Sequence, residues 1–139
     1  MRQQLKEALE KISHRLPGLL FMGICDAETA ESLALVGDES LDALSASAVL
    51  GDMLTQQSWA LEALGGRERV GKTLDLVLRT RNMSLIVAPL DDVRCYMVLA
   101  LRNAEYLDLA RSLIRESSAY LSWIIAGRAL VEKQEALSC

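Results

Sequence analysis

The chain has 139 residues, a formal net charge of −4 and a half-hydrophobic composition with few aromatic residues. That length suits one domain with a mostly aliphatic core, and the lack of a basic run excludes the phosphate neutralisation on which nucleic-acid binding rests. The odd set Cys25, Cys95 and Cys139 has neither CxxC nor Cys/His spacing, which excludes a disulfide framework and a zinc site.

Residues 2–16 read as an amphipathic helix, with Leu5, Leu9, Ile12 and Leu16 on one stripe, and Pro17-Gly18 stops it. A start this charged is no signal peptide, and the longest apolar run, Ala119–Val131, is too short to span a bilayer. The expected setting is therefore soluble and cytoplasmic. His14, the only histidine, falls beside the polar face with no metal or catalytic partner near it in sequence.

Leu19–Cys25 is fully apolar, so it predicts a strand inside a sheet covered on both faces, and Ser32–Gly37 completes a hairpin with it. Leu41–Leu64 predicts a long helix. Ala43, Ala46, Leu50, Met53, Leu54, Leu61 and Leu64 fall within about 100° of arc, Asp42 or Ser40 caps the start, and Gly65-Gly66 ends it. A second stripe of small residues, Ser47, Gly51, Thr55 and Ser58, runs beside the first and lets another backbone approach closely.

Three strands at hairpin spacing follow. Lys72–Thr80 alternates, with Leu74, Leu76 and Leu78 on one face and Thr73, Asp75, Val77 and Arg79 on a more exposed one. Met83–Leu90 and Arg94–Leu101 are apolar on both faces, so they belong inside the sheet and leave Lys72–Thr80 as an edge. Exposed edges are normally protected or paired, which makes this one a reason to expect a partner. A closing helix begins at Tyr106. The expected architecture is a three-layer α/β sandwich, element order α-β-β-α-β-β-β-α, built on a five-stranded antiparallel sheet in strand order 2-1-5-4-3. The central helix covers one face and the terminal helices the other.

This order resembles the roadblock family of dynein light chains and small-GTPase regulators, whose fold is profilin-like. The residues that carry the likeness are LPGLLFMGICDAETAESLALVG, the helix LDALSASAVLGDMLTQQSWALEAL, the strands KTLDLVLRT, MSLIVAPL and RCYMVLAL, and NAEYLDLARSLIRE. The resemblance implies a roadblock-like domain over residues 1–117 and a helical extension over 118–139. It implies a non-enzymatic dimer, with itself or a paralogous chain, in which the strand after the central helix pairs across a two-fold and the two central helices lie side by side. Here that interface maps onto Ser47, Gly51, Thr55, Ser58, Thr73, Asp75, Val77 and Arg79. Such proteins serve as platforms for Ras-like GTPases or for motor and signalling complexes, with no cofactor and no substrate chemistry of their own. Trp59, opposite the core stripe, fits the dimer seam, a docking surface or a lone exposed ring. Arg67 and Arg69 form a small positive spot, and the extension exposes Trp123, Ile124 and Ile125 unless something covers them.

One motif argues for a different chemistry. Gly66–Thr73 matches GxxxxGK[ST] letter for letter, and LIVAPLDD imitates the apolar strand and Asp that position a metal. A phosphate loop, however, follows a strand and opens a helix, because the helix N-terminus contributes to phosphate binding. Here the motif follows a helix and opens an alternating strand. Nucleotide binding at Gly66–Thr73 stands as the alternative reading. Asp91-Asp92 and Asp38-Glu39 read as turn residues, and Cys25 and Cys95 as buried reduced thiols on neighbouring strands.

Overall fold

A computed structural model describes residues 1–138, with side-chain environments given through residue 127. The elements are α1 (Arg2–Ser13), β1 (Leu19–Asp26), β2 (Ser32–Gly37), α2 (Ala43–Ala63), a short α3 (Arg67–Val70), β3 (Leu76–Arg79), β4 (Ser84–Pro89), β5 (Cys95–Leu101) and α4 (Leu107–Ser138). All five strands form one sheet in the order β2-β1-β5-β4-β3, and every neighbouring pair is antiparallel. The three apolar strands β1, β4 and β5 sit inside the sheet, where their composition requires, and β5 is buried along its entire length, between β1 and β4.

Each face of the sheet has its own core. On one side Leu5, Leu9 and Ile12 of α1 and Ala110, Leu113, Leu121 and Ile124 of α4 pack on Met22, Ile24, Ile86, Met97 and Leu99. On the other, Ala43 and Leu50 of α2 meet Phe21, Cys25, Val87, Tyr96 and Val98. Full burial of a Leu or Ile stabilises the fold by about 1.5–3 kcal/mol, so the first side carries most of the cohesion. The second side is thinner. Leu20, Leu35, Met53, Leu54, Leu76 and Leu85 are only partly buried there.

Two elements differ from the sequence reading, and a third answers a point it left open. The Gly-rich turn after α2 holds the extra helical turn α3. The edge strand starts at Leu76 instead of Lys72, and the register explains why. Leu90 N–H donates to Cys95 O, so along β4 the even residues bond β5 and the odd residues face β3. The next β3–β4 pair beyond Leu76↔Val87 that needs hydrogen bonds is Leu74 opposite Pro89, which has no N–H to give. Finally, the closing helix and the extension are one continuous α4, in which Ser118, Leu121, Ser122 and Ile124 are buried and Ile125 is partly buried against the core. Ile124 is therefore covered by the chain's own domain, not exposed. Trp123 does face outward, 68% exposed.

Candidate interaction surface

β3 is bonded on one side only, by β4. Thr80 N–H donates to Met83 O, so Leu76 and Leu78 also turn their main-chain groups to β4, while Val77 and Arg79 turn theirs outward. Among the described residues nothing bonds those outward N–H and C=O groups. Five large apolar side chains of this stretch of chain are exposed to solvent: Trp59 and Leu64 near the end of α2, Val70 in α3, Leu74 before β3 and Leu78 within it. Trp59 is the most exposed of them, at 80%.

The side chains before and within β3 are arranged differently from the sequence expectation. The face carrying Thr73, Asp75, Val77 and Arg79 is the better covered one. Thr73 accepts a hydrogen bond from Gln57 Nε2 at 2.7 Å, which ties it to α2. Asp75, its side chain 12% exposed, receives two bonds from Arg111 of α4, at 2.9 and 3.2 Å. Val77 packs against the α1/α4 core, and only Arg79 is fully at the surface. The reason is that α4 reaches over this part of the sheet while α2 leaves Leu74 and Leu78 uncovered. A strand pattern alone does not say which helix overlaps an edge.

The small-residue stripe of α2 divides in the same way. Ser47 is 2% exposed, and its carbonyl accepts from Tyr96 Oη at 3.2 Å. A Cβ on Gly51 would lie 2.3 Å from that same Oη. Both residues thus face the chain's own sheet, and the absent side chain at Gly51 makes room for the Tyr96 ring. Thr55 and Ser58 are exposed, with their hydroxyls donating to Gly51 O at 3.3 Å and Thr55 O at 2.8 Å. The outward face of α2 carries Leu44 and Val49 instead, 57% and 60% exposed. The sequence reading missed these two. Their signal was present: α2 is apolar on more than one side, and a helix apolar all round has more than one covered face.

Burial dominates the chemistry beneath α2. It raises the Cys25 thiol, and it pushes Cys95, on the opposite face, up to about 11, with nearby Asp26 adding to the effect. Tyr96 is raised as well, first by burial and then by Cys25. Both cysteines are free and buried, so neither is a reactive thiolate.

Gly66–Thr73 borders a cleft of about 750 Å³ between the end of α2, the β4–β5 turn and α4. Its lysine, Lys72, pairs with Asp91 at 3.2 Å on an exposed surface. The backbone does not form an anion cradle. The N–H groups of Arg69 and Val70 both donate to Gly66 O and that of Gly71 to Arg67 O, closing the turn of α3 on itself. No helix follows the lysine. The loop stops α2 and redirects the chain, with Gly65, Gly66 and Gly71 supplying positive φ values of 118°, 78° and 84°. Arg67 and Arg69 stand exposed on it. Among the described residues no helix is long and apolar enough to cross a membrane.

No family model matches the sequence. No curated protein matches it either. The fold does find counterparts among solved structures. The chain is similar to Myxococcus xanthus MglB, with a TM-score of 0.75 at 13% identity, over 91% of this chain and 90% of that one. An MglB structure with a tetrameric arrangement gives 0.73 at 15% identity, over 88% of each chain. A Roadblock/LC7 domain from Streptomyces avermitilis gives 0.60 at 13% identity, over 81% of this chain and 93% of that one. The chain has the roadblock-type fold.

Proposed function

We propose that this chain is a non-enzymatic interaction platform that works as a dimer and binds or regulates a small Ras-like GTPase in the cytoplasm. The observation that carries the proposal is the open β3 edge, together with the exposed apolar side chains Leu78 within it, Leu74 before it and Trp59, Leu64 and Val70 on α2 and α3. A strand with unpaired main-chain groups beside exposed apolar side chains is completed by a second copy of itself, turned about a two-fold so that each edge satisfies the other. Val77 and Arg79 contribute main-chain bonds to that pairing, and Thr73 and Asp75 hold the approach to the strand in place. Thr55, Ser58 and the outer face of α2 lie beside the partner's α2, whereas Ser47 and Gly51 support the helix from beneath. The GTPase side of the platform is Trp59 with Arg67 and Arg69, and Trp123 offers a second position on α4. The fold supports this reading through its likeness to MglB, one structure of which is an assembly of several copies. The alternative, nucleotide binding through Gly66–Thr73, has the letters of the motif without its geometry.

Light scattering at fixed concentration tests the dimer. The chain should weigh near twice 15.3 kDa. Arg79→Pro removes one outward N–H and no bond to β4, so it should leave the fold intact and bring the mass down to that of one chain. A wild-type monomer at micromolar concentration would refute self-pairing and direct the search to a paralogous chain. Pull-down with small GTPases, loaded with GDP or with a GTP analogue, tests the second half.

A further inference from the structure

The sheet has a second edge, at β2, on the far side from β3. Asp38 N–H donates to Leu20 O at 2.8 Å, so Ala34 and Val36 bond β1 while Leu35 and Gly37 turn their N–H and C=O groups outward. Among the described residues no donor or acceptor meets them. Arg2 caps only the other end of the strand, donating to Ser32 O at 3.0 Å. Alongside Leu35 and Gly37 lies a hollow of about 440 Å³ floored by Phe21, Leu35, Leu41 and Leu44, the last of these 57% exposed. Its rim is acidic: Asp38, Glu39, Asp42 and Glu10 face a single cation, Lys6, with Arg102 close to Asp38. Asp38 and Asp42 are fixed in this orientation by bonds from the backbone of Ser40 and Ser45.

We propose that the β2 edge is a docking site for an extended segment of another protein, with an apolar residue that enters the hollow and flanking Lys or Arg residues that meet the acidic rim. Open main-chain groups supply the strand pairing, the hollow supplies an anchor, and the carboxylates select the charge of the guest. The site does not depend on the dimer, because β2 and β3 are opposite edges of the sheet and pairing at one leaves the other free.

The test is amide hydrogen exchange by NMR on the full chain, with the peptide acetyl-Lys-Val-Lys-Val-Lys-amide as probe and acetyl-Glu-Val-Glu-Val-Glu-amide as control. The lysine peptide should slow exchange at Leu35 and Gly37 and leave Val77 and Arg79 unchanged, and the glutamate peptide should do neither. Glu10→Lys with Glu39→Lys, both at the surface and neither capping a turn, should weaken the lysine peptide by about tenfold and remove most of its salt dependence. Slowing at Val77 and Arg79 in place of β2, equal binding of the two peptides, or no slowing at all would each overturn the proposal. So would Leu35 and Gly37 amides already protected without peptide in a chain heavier than a dimer, since a further copy would then be the occupant.

Discussion

Gly51→Ala puts the packing beneath α2 to a quantitative test, because two effects of opposite sign meet at one atom. In a solvated helix interior, replacing Gly with Ala stabilises by about 1 kcal/mol through the unfolded chain's lost freedom. At Gly51 the new Cβ would fall 2.3 Å from Tyr96 Oη and 2.5 Å from Cζ. Tyr96 is 3% exposed, packed between α2 and the sheet. Either α2 lifts from the sheet or the ring shifts and gives up its bond to Ser47 O. Overpacking of this kind costs about 1–3 kcal/mol and the lost hydrogen bond about 1 kcal/mol more. The sum predicts a net loss of about 1–3 kcal/mol, a fall in Tm of about 3–10 °C at this chain length. Urea and thermal unfolding at one fixed protein concentration would measure it, since association adds to apparent stability. Tyr96→Phe removes the nearest atom but not Cζ, so the double variant should recover about 1 kcal/mol relative to additivity. A Gly51→Ala chain that is more stable than wild type would show that Gly51 faces open space, as a partner-facing small-residue stripe requires, and would refute the packing described here.

Two further outcomes follow from the same structure. Arg111→Ala should destabilise more than Asp75→Asn, by about 1.5–3 against less than about 1 kcal/mol, because the first leaves a largely covered carboxylate without its donor and the second frees a guanidinium that reaches solvent; equal losses in thermal unfolding would contradict that asymmetry. Cys95 ionises at about 11 when folded against 9.0 when free, so above pH 9.0 the unfolded chain sheds its proton first and stability should fall as pH rises towards 11, with Tyr96 acting in the same direction. A urea midpoint that holds steady across that window, or rapid alkylation of Cys95 near neutral pH seen by mass spectrometry, would contradict the burial.

Much of the fold was legible because its signals are local. Continuous apolar runs marked β1, β4 and β5 as interior strands, and the turns between them dictated antiparallel neighbours, so the sheet order and the edge position of β3 followed. What the sequence concealed was direction. α2 meets the sheet with most of the stripe its period marks, Ala43, Ala46, Leu50, Met53 and Leu54, but Ser47 and Gly51 beside it are turned inward as well, where the Tyr96 ring fills the gap at Gly51; nothing within the helix announces a tyrosine forty-five positions later. The faces of β3 were misassigned for a related reason. Leucines at Leu74 and Leu78 look like core, yet both are left exposed, while α4 arrives from the far end of the chain to cover Asp75 and Val77. The aromatic and charged candidates fared differently: Trp59, Arg67, Arg69 and Trp123 stand at the surface, where residues of that kind are free to meet a partner.

Pro89 has an effect that reaches past its own strand. By withholding one N–H it cuts the neighbouring edge to four residues. A long, flat apolar edge accepts any extended chain in any register, and molecules that stack that way have no reason to stop at two. A short one offers too little purchase for a passing segment and rewards only an approach in which the flanking helices also fit. One ring closed onto a backbone nitrogen thus fixes how much of this edge exists for any extended chain to pair with.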